Sequence, residues 1–534
     1  MIGSRRSFLK GIAGVGTVTA ARAAGAAGAD TVPDRRALAA LPQQGSVALR
    51  EPGREGNFVW TAGDMRREID SDPKQGVFVA SAADPFGRSG AWVRQSGDMV
   101  HVGWFGAKGD GATNDTDAIN AAARLLETRG GGTLAFSRGT YLIGRQSQLP
   151  GARAAYGAWE VVAIRRCKRK VTILGNGALL KGAPGLRYGS FEPGTGAPAA
   201  VKLPFSNTDF LATPFLAAIA LIANQGGVEV SNIEIDGSIG EQVVGGQWGD
   251  IGWQIPHHGI HLDTNAGPHV VRNVHAHHMG GDGMMVVTAA ETEASPPIPV
   301  LIEDCRFESN GRQGVSVIGG RGYTFRRCRF LNIGRGIPIS SNPGAGVDLE
   351  AEYGVIRDVS FEDCVFDGNM GPGLGADSGD IARVVFTRCR FVGAYRWALW
   401  ANKPDMVFRH CTIVGAATGF FDDPSGRRAN KFYNCRFSDD PRLSGSGSVY
   451  TVPLSSGPHK GTLFDGCVFT YRKMPLPYTQ AGTTFHNCRM SSSAPGIAQL
   501  NGTFTGTNII DGGADLTAST FRGRTVHNGK VISS

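Results

Sequence analysis

Four carboxylates sit in short, glycine-led segments in the second half of the chain: Asp282 in GGDGMMV, Asp348 and Glu350 in GVDLE, and Asp377 in GLGAD. Alternate side chains of a strand share one face. Applied to GIHLD (259–263), GMMVV (283–287), GVSVI (314–318), GVDLE (346–350), GLGAD (373–377) and WALWA (397–401), that rule gives outward pairs. They are His261/Asp263, Met285/Val287, Ser316/Ile318, Asp348/Glu350, Gly375/Asp377 and Ala398/Trp400. If the segments lie side by side at the ~4.8 Å strand spacing, Glu350 and Asp377 are lateral neighbours about 5 Å apart. Two carboxylates that close raise one another's pKa unless a cation intervenes, which suits an acid/base pair or a Ca²⁺ site. A solvated face between arginines is the bland reading of the same pattern.

Seven of the 12 histidines crowd into one stretch: His257, His258, His261, His269, His275, His277 and His278. No two ligand pairs among them have a diagnostic zinc spacing. Metal binding, proton transfer, sugar contact and ordinary surface placement all stay open. Tyr395, Trp397 and Trp400, with Arg396 and Lys403, follow Asp377 by one segment and supply flat faces on which a sugar ring can stack. Alternation turns Trp397 inward and Trp400 outward.

What would hold these groups together is a repeat. Of nine Cys, eight recur inside one phrase: LIEDCRF, TFRRCRF, SFEDCVF, VFTRCRF, VFRHCTI, KFYNCRF, LFDGCVF and TFHNCRM. From Cys305 to Cys488 the spacing averages about 26 residues, a solenoid period. VEVSNIEI and HVVRNVHA fit the same frame with Ile233 and Val274 in the Cys position. Apolar residues alternate on both sides of a two-residue corner: Val359 and Phe361 inward on one strand, Cys364 and Phe366 inward on the next. In seven of the ten phrases the second corner residue is Asn232, Asn273, Asp304, Asp363, Asn434, Gly466 or Asn487, types that tolerate a left-handed backbone. The cysteines are therefore expected to form a buried thiol ladder, and their odd number argues against a closed disulfide framework. The third strand of each coil is the glycine-led segment described above.

Ahead of the repeats, WFGAKGDGATNDTDAINAAARLLETRGGG predicts a helix capped by Asn114/Asp115, with Ile119, Ala122, Ala123 and Leu126 on one face, ended by Gly130. Such a helix would cover the open end of a solenoid. WFGAKGDGATNDTDAINAA followed by GGTLAFSRGTYLI resembles the start of the pectate-lyase-like right-handed parallel β-helix superfamily, and the resemblance spans roughly 101–525. It implies an all-β right-handed parallel β-helix over 101–534 behind a small β-rich module at 30–100. The Gly-, Pro- and Ala-rich insertion 180–225 is expected to wall a cleft.

The superfamily includes polysaccharide hydrolases, lyases, epimerases and non-catalytic binders. The resemblance implies an enzyme that cleaves a polysaccharide, an acidic one in the leading reading, by β-elimination. A carboxylate-pair hydrolase is the alternative, and a uronate epimerase or a non-catalytic glycan binder stands behind both. The catalytic candidates are Asp348, Glu350, Asp377, Asp282, His261 and Arg312. The candidates for substrate binding are His258, Asp263, Gln313, Arg335, Tyr395, Trp400 and Lys403. Elimination would use His261, Arg312 or Arg335 as base, and Ca²⁺ is the one cofactor considered. PHHGIHL, GGDGMMV and GRQGVSV resemble the segments that carry the catalytic trio of polygalacturonase-like hydrolases, but of His258, Asp282 and Gln313 only Asp282 matches. The Asp-Pro-His motif of mannuronan epimerases does not occur.

Residues 4–10, SRRSFLK, with the small apolar run that ends near Ala29, resemble a twin-arginine signal peptide. This implies export in the folded state, to the periplasm or beyond. Removing 1–29 leaves 50 Lys and Arg against 46 Asp and Glu, so the mature charge falls from +8 to +4 and the basic balance gives no reason to expect nucleic acid. Gly at 77 of 534 is roughly twice the usual share and excludes a helical bundle. Beyond the N-terminus no run approaches the ~20 apolar residues of a membrane span.

Overall fold

A computed structural model describes residues 30–149, 156–192, 194–199, 211–246, 255–440, 442, 453–454 and 460–534. The signal segment 1–29 lies outside the described residues. Almost every strand from Met99 onward belongs to one parallel ladder that winds as three columns. In one column Val228–Asp236 pairs with His269–His277, and Val300–Glu303, Tyr323, Val359 and Val384 follow on successive coils. This is the parallel β-helix that the repeats imply.

The phrases stack in register. Phe325, Phe361, Phe386, Phe408, Phe432 and Phe464 form a column of parallel rings with centroids 4.6–5.0 Å apart. Phe330, Phe366 and Phe391 form a second column, at 4.8 and 4.6 Å. All nine cysteines are buried and free. Each Sγ of the ladder lies beside a carbonyl of the preceding coil, as Cys364 does to Phe325 and Cys389 to Phe361. Burial pushes the Cys364 thiol well up, and that of Cys167 to about 11.

The corner expectation holds and extends. All ten second corner residues, including Arg327, Arg388 and His410, adopt φ between 51° and 62°. Histidine is enriched in this region with Asn and Asp, but the two arginines carry no such preference. Their corners are imposed by the coils above and below, and Arg327 and Arg388 fork onto Asp304 and Asp363 at the preceding corners.

The helix Thr116–Thr128 buries Ile119, Ala122, Ala123, Leu125 and Leu126 against the first coils. Its start differs in detail from the expectation. Asp115 occupies the cap position, yet its carboxylate accepts from the N–H groups of Lys108 and Gly109, while Asn114 Oδ1 accepts from Thr116 N. Before the solenoid, a five-stranded sheet spanning Asp30–Arg94 has its own core of Leu38, Leu49, Phe58, Val79 and Trp92. At the other end Lys530–Ser533 pairs antiparallel with Thr520–His527. No described helix is long and apolar enough to cross a membrane.

Because each inner ring touches two neighbours, Phe361→Ala should destabilise the protein by about 3–5 kcal/mol in a denaturant titration. The thermal midpoint should be indifferent to dithiothreitol, and Ellman's reagent should find the thiols only after denaturation. A reductant-dependent midpoint would show that the thiols are bridged.

Candidate functional site

The third strands do bring the sequence-distant groups together. Residues His261, Met285, Ser316, Asp348, Gly375 and Trp400 lie opposite one another on successive coils, so the first outward column is as expected up to its last member. There the frame shifts. Ala398, expected outward, is fully buried, whereas Trp397, expected inward, is half-buried and faces the cleft beside Trp400. The strand itself begins only at Leu399, so residue 397 belongs to the preceding turn.

The second outward column begins with Asp263 opposite Val287 and breaks there. Between Val286 and Val287 the register slips, so that Val287 faces Gly319 and Ile318 is buried. Another slip between Asp348 and Glu350 sets Glu350 opposite Ser378 instead of Asp377. The first slip falls at Gly319 and Gly320, where the backbone packs too closely for side chains. A Cβ on Gly319 would lie 2.2 Å from the Tyr353 carbonyl, and one on Gly320 would lie 2.2 Å from Thr288 Oγ1. The insertion breaks the period of two without leaving a mark in the alternation.

Asp348, Glu350 and Asp377 nevertheless converge. With Arg312, Asn342, Pro343, Pro372, Gly375, Arg396, Trp397 and Trp400 they line a cavity of about 240 Å³. The two indole rings meet edge to face at 5.0 Å. Asp348 is 6% exposed, and its Oδ2 accepts a 2.7 Å hydrogen bond from Gln313 Nε2, while Gln313 Oε1 accepts from Ala345 N. Gln313 is therefore a positioning residue. Its opposite oxygen, Oδ1, lies 3.0 Å from where a Cβ on Gly375 would be. The bare glycine on the next coil thus leaves that oxygen its space. Burial first, and Glu350 second, push the Asp348 carboxyl up to about 7 against the pull of Arg312. Burial also raises Glu350, opposed by Arg312.

Beneath the cavity floor is a buried charge network. Asp282, completely buried, accepts from Arg312 Nη1 at 3.1 Å and from Ser316 Oγ at 2.9 Å through Oδ2. Arg312 Nη2 reaches toward Glu350 at 3.8 Å. His258 Nδ1 accepts from Asp282 N and lies 3.7 Å from Asp282 Oδ2. Burial lowers His258 to about 4, which keeps it neutral, and lowers the half-buried His261 as well. The three segments PHHGIHL, GGDGMMV and GRQGVSV are thus adjacent, with His258 and Gln313 serving as supports for the two aspartates.

Other candidates stand elsewhere. Arg335 lies over the Tyr395 ring at 3.9 Å, and Lys403 Nζ donates to the Gly379 carbonyl; none of the three is among the residues lining the cavity. Asp263 pairs with Val287 and is also outside it. The described part of the insertion 180–225 contributes no lining residue; Arg187–Ser190 forms a small sheet with Leu211–Ala212 and Val243–Gly245. Asn342, Pro343 and Pro372 were not foreseen, since they come from turns of variable length that carry no repeat signal. Among the described residues, ligand atoms gather within 4.8 Å only at Glu234, His275, His277 and at Asp236, His277, His278.

Residues 217–440 match the family described as right handed beta helix region. No curated protein is significantly similar to the chain in sequence. Among solved structures, the A-module of mannuronan C-5 epimerase AlgE6 from Azotobacter vinelandii aligns at 15% identity with a TM-score of 0.47, covering 80% of this chain and 98% of that one. The tailspike protein gp49 of Acinetobacter baumannii bacteriophage Fri1, a capsular polysaccharide depolymerase, aligns at 12% identity and TM-score 0.38, covering 95% and 76%. The Agl-KA catalytic domain aligns at 14% and 0.37, covering 84% and 73%.

Asp348 should tax stability. An acid whose pKa is raised by folding binds its proton more tightly in the native state, so stability falls as pH rises from about 4 to about 7 and then levels. Asp348→Asn keeps the oxygen that accepts from Gln313 and removes the charge. The variant should melt higher than the parent above pH 7, with the gain vanishing below pH 4. A lower melting temperature at alkaline pH would contradict this electrostatic account.

Proposed function

The chain is a right-handed parallel β-helix protein, and from that premise we propose that its cleft hydrolyses glycosidic bonds of a polysaccharide. The observation that carries the reading is Asp348: a carboxyl near half-protonated at neutral pH, clamped by Gln313 through one oxygen, with the other beside Gly375, among further carboxylates. Glycoside hydrolysis needs one protonated and one ionised carboxyl. Asp348 donates its proton to the glycosidic oxygen as the bond from that oxygen to the anomeric carbon breaks, and the leaving sugar departs as an alcohol. Glu350, kept toward its charged form by Arg312, takes a proton from the water whose oxygen bonds to the anomeric carbon. Trp397 and Trp400 offer the apolar wall on which a ring stacks.

The lining carries Asp348, Glu350 and Asp377, with Arg396 as its exposed cation. With Arg312 committed to Asp282, the acids outnumber the cation left for a ligand, which favours a neutral glycan over the acidic one the sequence suggested. Elimination, the first reading from sequence, is less well supported as regards its bases. Arg312 is held as guanidinium by Asp282, and Arg335 is stacked on Tyr395. His261 sustains elimination as the second reading, because burial keeps its imidazole neutral and able to accept a proton. Export through the twin-arginine pathway would place either activity outside the inner membrane.

The test is digestion of a panel of neutral and acidic polysaccharides by the protein lacking residues 1–29. New reducing ends without the ultraviolet absorbance of an unsaturated uronate support hydrolysis; that absorbance would support elimination. Asp348→Asn should lower turnover by about 10²–10⁴. In the parent, kcat/KM should fall as pH rises through about 7, where Asp348 loses its proton. Full activity in the variant would remove Asp348 from the mechanism.

A further inference from the structure

A second constellation lies on a different strand column, at the ends of Val228–Asp236 and His269–His277. In-register pairing sets Glu234 beside His275 and Asp236 beside His277 on adjacent coils. His278 follows with φ 51°, which turns its ring back toward the same aspartate. We propose that Asp236, His277 and His278 bind a divalent transition-metal ion of the zinc type.

The proton on His277 can be placed. Its Nε2 is 3.1 Å from Glu234 Oε1, and an ionised carboxylate only accepts, so that nitrogen carries the hydrogen. In the neutral ring Nδ1 is then a lone pair. It faces His278 Nδ1 at 2.6 Å, and both nitrogens are 3.7 Å from Asp236 Oδ1. A point equidistant from these three atoms lies about 2.0 Å from each, which is the length of a zinc bond to nitrogen or carboxylate oxygen. Three donor atoms around one such point, two of them imidazole nitrogens, suit zinc and its neighbours and do not suit Ca²⁺ or Mg²⁺, which take oxygen.

The surroundings are those of a prepared site. Glu234 fixes the tautomer of His277, the arrangement in which a carboxylate orients a ligating histidine. Asp236 Oδ1 also accepts from Ser238 N at 2.8 Å, which fixes that carboxylate. His277 is 10% exposed and His278 42%, so the ion would be reached from solvent and would keep an open position. None of the three residues lines the acidic cavity. An ion held here joins one coil, through Asp236, to the next, through His277 and His278. It also pins the start of the turn that runs to Asp282. Its role is that of a staple between coils, separate from the reaction proposed for the cleft.

The rival arrangement is a hydrogen bond from His278 Nδ1–H to His277 Nδ1, which needs no metal. The two are distinguished by titrating Zn²⁺ into the untagged full chain after dialysis against a chelator, at neutral pH, with calorimetry and thermal melting. One equivalent should bind and raise the melting temperature. Asp236→Asn and His278→Asn should each abolish it; both keep the local shape, since asparagine tolerates the left-handed position of His278. Glu234→Gln should weaken binding about tenfold or more. Co²⁺ in the unaltered protein gives a second reading, because nitrogen ligation at low coordination number yields an intense visible spectrum. No stoichiometric binding, or binding undiminished in both asparagine variants, would overturn the proposal.

Discussion

Everything in this molecule depends on parallel strands stacking in register, one coil directly over the next. The constraint is set by shape more than by hydrogen bonding alone. Identical rings at identical positions, such as Phe361 over Phe325 and under Phe386, pack only when each coil repeats the path of its neighbour. A coil displaced by one residue would turn its phenylalanines to solvent and its polar residues into the core. The left-handed corners show how strong this imposition is. Arg327 and Arg388 adopt the conformation that Asn and Asp favour, because the coils on either side leave no other route.

The fold was legible in the sequence because the constraint writes itself as repetition. Each phrase states the same two inward pairs and the same corner, and ten statements make the solenoid plain. The site was legible only where the third strand keeps its period. His261, Met285, Ser316, Asp348 and Gly375 fell into a column because no residue is inserted before them. Beyond Val317 and Asp348 the strands bulge, and alternation read from the start of the segment misplaces Ile318 and the partnership of Glu350 with Asp377. The roles of His258 and Gln313 were hidden for another reason. Their types suggested contact with a substrate, while burial makes them hydrogen-bond partners of Asp282 and Asp348. Burial is a property of the assembled coils and has no local signature in a turn.

The pairing of Asp282 with Arg312 explains why the cleft can carry so many acids. A lone buried carboxylate would neutralise itself by taking up a proton, since desolvation strongly disfavours the charge. Arg312 answers Asp282 directly and reaches Glu350 more distantly. Asp348 receives only part of that compensation and is left as the group whose proton is held near neutrality. Burial acts first on Asp348, and the shared guanidinium of Arg312 offsets it only in part.

Register has a cost wherever side chains are charged, because like residues stacked on successive coils repel at short range. Along the corner column this chain avoids the cost by alternation: Asp304, Arg327, Asp363 and Arg388 follow one another, and Arg327 and Arg388 fork onto the aspartates before them. On the strands beside it Arg272 meets Glu303 and Arg326 meets Glu362 in the same manner. Exposed pairs of this kind add little stability, yet they remove a repulsion that repetition would otherwise multiply. The third-strand face departs from the rule. Asp348 has Ser316 below it and Gly375 above it, so no acid stacks directly on it, but Glu350 and Asp377 crowd the same cavity, where Arg312 comes no closer to Glu350 than 3.8 Å. The balance is not universal, since Arg306 lies opposite Arg329 and Arg321 opposite Arg357, but the cavity is where uncompensated acids gather around a carboxyl of raised pKa.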